Sequence, residues 1–238
     1  MKKLITIVLV IFAVTLNAQS NTDLLKHYEA YYQQMKSQGD VQGIINAMTH
    51  LNVLQPSEAR KDTLAYIYMS ENKYVQAINT IGFDKNASDS DIALEVKAVS
   101  LKALKRPELA IGHFEEIFKR NPNVYVAYDL AELNMSTQNI AEVEKHITYG
   151  LANAKDDMKK AFYETQQPYE VPLKSAFMYL NALNTFNKDR KNNIDAAVDI
   201  LDAALKTAPN FNLIQLTKTE LLRQKQALQA QEASQEKK

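Results

Sequence analysis

His113 and His146 stand 33 residues apart, with Glu115, Glu116 and Glu142 close to them along the chain. Imidazole and carboxylate groups can hold a divalent metal or pass a proton, so these residues are candidates for chemistry. If the two histidines occupy equivalent sites on neighbouring helices, their rings lie roughly 10 Å apart, about the spacing of packed helix axes. A metal needs more ligands converging on one point, and Glu116 and Glu142 are only nominal contributors. No metal is expected. The adjacent carboxylates Glu115-Glu116 and Asp156-Asp157 point apart on a helix, so neither makes a shared acid–base pair. The chain has no cysteine, which excludes disulfides, thiolate nucleophiles, Cys-ligated zinc and iron–sulfur clusters. It has no HExxH, no glycine-rich phosphate loop, no GxSxG and no paired-glycine dinucleotide fingerprint. No catalytic residue and no cofactor is assigned, and the protein is not read as an enzyme.

The elements that position these side chains follow from a periodic echo. Tyr32, Ala65, Ala98 and Ala131 form a ladder of step 33, as do Met48, Ile81, Phe114 and Ile147, and Val41, Tyr74, Pro107 and Ile140. Self-similarity at that period marks helical hairpins that bury their apolar faces by stacking on one another. The 238 residues are 46% apolar and 24% charged, enough for a sizeable core. Only five glycines are present, which favours long helices over a turn-rich sheet. The small residues of the Ala65 ladder let paired helices approach closely, and Ala77 and Ala110 play the facing role. The expected fold is all-α: a right-handed α-α superhelix, or solenoid, of stacked antiparallel helix hairpins.

Four units are expected at about 25–57, 58–90, 91–123 and 124–155. Within the first, Tyr28, Tyr31, Tyr32 and Met35 share a helix face, Gly39-Asp40 breaks the helix, and Val41, Ile44, Ile45, Met48 and Leu51 line the second helix. Pro107 suits the first turn of a helix, and Pro56, Pro122 and Pro209 stand where helices stop. After Leu151 the register breaks. Residues 156–171 are read as an insertion, with a helix over 156–167 closed by Pro168 and a constrained loop Tyr169-Glu170-Val171-Pro172. A fifth unit follows at 172–210. A capping helix begins at 212, within a C-terminal segment 211–238 that frays from Gln231.

The segments NKYVQAI, RPELAIGHFEEIFKRNPN and NIDAAVDILDAALKTAPN resemble the second helix of the tetratricopeptide repeat with its terminal proline. That resemblance covers the repeat domain, 19–210, from about residue 22. The family's usual period is 34, and its tryptophan is absent here. The resemblance implies a concave groove, lined by the first helices, that receives a protein or peptide partner. By the register, the columns on that face are Glu29, Asp62, Glu95 and Tyr128, then Gln33, Tyr66, Val99 and Glu132, then Lys36, Met69, Lys102 and Met135. The candidate partner-binding residues are thus Glu29, Gln33, Asp62, Tyr66, Met69, Glu95, Lys102, Tyr128, Glu132 and Met135. An acidic row with tyrosine and methionine suits a polar or basic segment with an apolar anchor. Tyr169 and Val171, held between two prolines, form a separate loop candidate.

Met1-Lys2-Lys3, the uncharged run Leu4–Leu16 and the small residue Ala18 have the layout of a cleavable secretory signal over 1–18. Its loss removes two lysines and leaves 26 basic against 28 acidic residues, a net of −2, so no basic surplus exists for nucleic acid. The expected protein is exported, most simply to a periplasm, without a membrane span after cleavage. Its expected role is a non-enzymatic scaffold for a protein or peptide in the cell envelope. The alternatives are a structural subunit of a larger envelope assembly and a hydrolase with Glu164 and Glu170 near 156–172.

Overall fold

The computed structural model describes residues 21–235. The leader over 1–18 and residues 236–238 lie outside the described residues. Two compact units divide the chain, one ending at Leu104 and the other beginning at Lys105. The first holds α1 (Asn21–Gln38), α2 (Val41–Leu54), α3 (Glu58–Ser70), α4 (Tyr74–Ile81) and α5 (Asp91–Ala103). Each helix packs on the next, and α3 also touches α5. The second holds α6 (Pro107–Arg120), α7 (Val124–Ser136), α8 (Ile140–Asn153), β1 (Lys159–Phe162), β2 (Tyr169–Pro172), α9 (Leu173–Lys188), α10 (Ile194–Thr207) and α11 (Asn212–Gln235). Here too each helix packs on the next, and α7 also touches α9. Contact between alternate helices is what hairpins stacked in register produce: one layer of first helices and one of second helices.

The ladders behave as close-packing positions. Ala65, Ala98 and Ala131 have no exposed surface, nor do Ala77 and Ala110. Met48, Phe114 and Ile147 are buried to within 4%. Polar caps start α2, α3, α5 and α7. Asp40, Ser57, Ser90 and Asn123 accept hydrogen bonds from the N–H groups of Gly43, Arg60, Ala93 and Val126, satisfying donors that the first turn leaves free.

The hairpin turns carry a further period. Gly39, Asn72, Lys105 and Gln138 all have positive φ, at 69°, 57°, 57° and 60°, and they too are 33 apart. After three of them the next N–H reaches back into the preceding helix: Asp40 to the Met35 carbonyl, Lys73 to Tyr68 and Asn139 to Asn134. A left-handed lysine strains its Cβ against the carbonyl. Lys105→Gly is therefore expected to stabilise the protein by ~0.5–1 kcal/mol after the extra chain entropy of glycine is subtracted. A higher urea midpoint at unchanged m-value checks this.

The segment read as an inserted helix is instead a two-stranded antiparallel hairpin, with Lys159 opposite Pro172 and Phe162 opposite Tyr169. Four-residue strands have little propensity of their own, and packing decides their form. Met158 accepts a hydrogen bond from the Leu173 N–H, fixing the hairpin to the start of α9, and Val171 is buried. The segment Tyr169–Pro172 is thus strand rather than loop. At the C-terminus α11 runs on to Gln235, past the expected fraying point at Gln231. It lies on α10, burying Ile214 and Leu221, and is pinned by Lys218 to Asp202 and by Lys225 to Asp195.

Candidate functional site

In the first unit the candidate residues come from α1, α3 and α5. Glu29, Gln33, Tyr66 and Glu95 are exposed, with Tyr66 at 42%. Glu29 and Tyr32 border an open concavity of about 390 Å³ that reaches Met48 and Arg60. The guanidinium of Arg60 is held by the carbonyls of Leu51 and Gln55, at 3.1 and 2.6 Å. Asp62 has a structural task that the register does not reveal. It accepts a 2.6 Å hydrogen bond from the Ser90 hydroxyl, and Ser90 caps α5, so the carboxylate ties α3 to the next hairpin. Met69 is half-buried against Ala65, Ala77 and Val96, and Lys102 is half-buried.

In the second unit the column reads differently. Tyr128 is only 2% exposed, so it is a core residue and not a groove anchor. Its ring meets Phe177 edge-on at 5.4 Å, and Lys160 of β1 places its ammonium 5.0 Å from the ring centroid. Burial, reinforced by Glu132, Tyr179 and Asp129, holds the Tyr128 hydroxyl far above its ordinary pKa. The inserted hairpin therefore covers this part of the face. Glu132 remains exposed, and Met135 is half-buried at the edge of a cavity.

The loop candidate also resolves into packing. Val171 is 1% exposed. Tyr169 stacks on Phe162 with centroids 5.8 Å apart, donates its hydroxyl hydrogen to Glu164 and lies 3.5 Å from the Leu213 N–H. Burial and the Glu164 hydrogen bond push its pKa up to about 12. Of the two carboxylates of the hydrolase alternative, Glu164 is thus bound to Tyr169. Glu170 sits exposed on β2, 3.9 Å from the Lys159 ammonium.

His113 and His146 are both buried, at 2% exposure. The His146 ring stands edge-on to Phe118, and Glu142 comes to 3.6 Å of its Nε2. Burial lowers the pKa of His146, Lys145 adds to the effect, and Glu142 opposes it, so the imidazole sits neutral in the core. Among the described residues no group of three His, Asp or Glu side chains gathers as a metal site. One pairing escapes the 33-residue register: Tyr28 of α1 stacks on His50 of α2 at 4.2 Å. Each is an irregular position, so periodicity gives no sign of it.

No family model and no curated protein matches the sequence. Solved structures do match. The structure of YrrB, described as a TPR protein with an unusual peptide-binding site, aligns with 84% of this chain and 98% of its own at a TM-score of 0.63 and 13% identity. A tetratricopeptide repeat protein from Parabacteroides merdae aligns with 85% of this chain and 75% of its own, at 0.61 and 14%. The chain has the tetratricopeptide-repeat fold. The structure of MamA gives a TM-score of 0.58 at 15% identity, covering 77% of this chain and 91% of that one. Identities this low tie the chain to these proteins by backbone arrangement alone. In this fold α1, α3 and α5 are the first helices of successive hairpins, and α3 touches α5.

Proposed function

We propose that the protein is an exported, non-enzymatic scaffold that binds a protein or peptide partner in the cell envelope through the first-helix face of its N-terminal unit. The observation that carries this reading is Tyr66 of α3, 42% exposed, with the carboxylates at the register-equivalent column of α1 and α5, Glu29 and Glu95, exposed as well. An exposed aromatic among acidic groups suits a basic segment with one apolar anchor. The peptide-binding site named for YrrB supports the same use of the fold. Export rests on the leader layout of residues 1–18.

The test is affinity measurement with the partner recovered in stoichiometric amount from envelope extract. Tyr66→Ala is expected to weaken binding by about thirtyfold, the loss typical of an aromatic anchor. Unchanged affinity, or no stoichiometric partner, speaks against the reading. N-terminal sequencing of the periplasmic protein tests export, with Gln19 as the expected first residue. The alternative role in a larger assembly draws on Val53 and Val75, apolar residues of second helices exposed at 77% and 53%. A discrete oligomer whose mass ignores Tyr66→Ala but responds to charge at Val53 favours it.

A further inference from the structure

The C-terminal unit leaves the buried ring of His146 unsatisfied. Both of its nitrogens are shut off from water, and neither makes a hydrogen bond to a described residue. A neutral imidazole carries one N–H donor and one acceptor lone pair, and leaving both unpaired in the interior is costly. An apolar side chain of similar volume would fill the site without that cost, so packing alone does not account for the imidazole.

Phe118 of α6 seats the ring. It stands edge-on to His146 at 5.3 Å and to Tyr149 at 4.9 Å, so one phenyl ring joins α6 to α8 through two aromatic contacts. Glu142, one turn back on α8, brings a carboxylate oxygen to 3.6 Å of Nε2, too far for a hydrogen bond. That carboxylate accepts instead from the Lys145 ammonium at 2.8 Å. Lys145 and Glu142 are the charges that act on the imidazole. The charged groups of the neighbouring helices are engaged elsewhere: Glu116 with Arg120 on α6 at 3.2 Å, Lys188 of α9 with Glu144 at 2.7 Å, and Glu132 and Asp129 of α7 near Tyr128. His113 on α6 is a second buried imidazole.

We propose that His146, Phe118 and Glu142 form an acid-sensitive joint between α6 and α8, in which a proton taken up by the imidazole draws it from Phe118 toward Glu142 and loosens the two helices. An imidazolium is a donor at both nitrogens. At Nε2 a short movement closes the 3.6 Å gap to Glu142 to a charge-assisted distance of ~2.8 Å. At Nδ1 no acceptor lies within reach in the core, so that N–H must find water, which requires the aromatic contact to open. Proton uptake and opening are therefore coupled. Because burial makes the folded chain resist this proton, stability is full above the unfolded pKa, ~6.5, and falls as pH drops from there toward the lower folded value. The joint lies in the C-terminal unit, so its failure leaves the scaffold reading standing.

Urea unfolding of the full chain and of His146→Met across pH 5–8 tests the proposal. The folded-to-unfolded ratio of wild type, taken relative to the variant, is expected to fall about tenfold between pH 7 and pH 5.5. His113→Met is expected to leave that step in place, and Glu142→Gln to extend it to lower pH, since the imidazolium then has no carboxylate to meet. Proton NMR of the folded wild type provides a second reading that needs no variant to fold. The His146 ring signal is expected to titrate below those of the exposed His27 and His50, with the Phe118 and Tyr149 ring signals moving along with it. A wild-type-to-variant ratio that stays constant with pH, or a His146 signal that titrates together with His27 and His50, overturns the proposal. So does a His146 signal that titrates low while the Phe118 and Tyr149 rings stay unmoved, since the ring then opens nothing.

Discussion

Phe177→Ala is expected to destabilise the protein by ~3–5 kcal/mol, the range for removing a fully buried aromatic side chain. Phe177 has no exposed surface and lies edge-on to Tyr128. It also covers Gly150 of α8 so closely that a Cβ there would stand 2.1 Å from the Phe177 ring. The helices α8 and α9 approach through this ring-on-glycine contact. Gly150→Ala makes the reverse experiment. Alanine is the better helix former by ~1 kcal/mol, yet the clash is expected to outweigh that gain and leave a net loss of ~1–2 kcal/mol. The double variant is expected to lose less than the two single losses combined, because the new methyl occupies part of the vacated volume. Urea unfolding of the four proteins checks the cycle, and strict additivity would remove the contact from the account.

Lys97→Met is expected to cost a comparable ~3–5 kcal/mol in the N-terminal unit, because it strands a carboxylate away from water. Lys97 is 1% exposed, and its ammonium donates to both oxygens of Asp89 at 2.7 and 2.8 Å and to the Asp84 carbonyl at 2.8 Å. All three of its hydrogens are used. The pair fastens the polar stretch between α4 and α5 to the side of α5. Burial alone would raise the pKa of Asp89, but the hydrogen bonds from Lys97 and from the Asn86 N–H, with the charge of Lys97, bring it below its ordinary value. A carboxyl held down in the folded state contributes stability that is present above the unfolded pKa, ~3.9, and is lost as pH falls through the folded value. The gap between wild type and Lys97→Met is therefore widest near neutrality and narrows as pH falls through the carboxylate range, where Asp89 without Lys97 protonates first. Unfolding measured across the acid range checks the sign. A gap that stays constant would mean that Asp89 does not titrate against Lys97.

The periodic core was open to reading because its signal repeats. Ala65, Ala98 and Ala131 are the same residue at the same step, and a hairpin stack demands small side chains at that one position. What escaped depends on contacts between residues with no periodic relation. Lys97 falls in a first helix where a charged residue reads as solvated, and only the fold of the following loop brings Asp89 over it. Lys159–Phe162 has a composition suited to a helix, and it becomes a strand because Tyr169–Pro172 and the core around Phe211 are there to receive it. That insertion then removes Tyr128 from the surface, although its register matches Glu29 and Glu95. Binding columns drawn from periodicity alone are sound only where nothing is inserted between the repeats.

The left-handed residues Gly39, Asn72, Lys105 and Gln138 differ in side chain but share a torsion. Deleting one residue at such a corner would rotate the helix that follows by about 100°. After Lys105 that rotation would swing Ala110 and Phe114 off the interior and bring charged neighbours inward. Changes in chain length are consequently tolerated in whole hairpins, or as loops spliced between them in the way the β1–β2 pair is, and the corners act as fixed joints for any lengthening or shortening of the array.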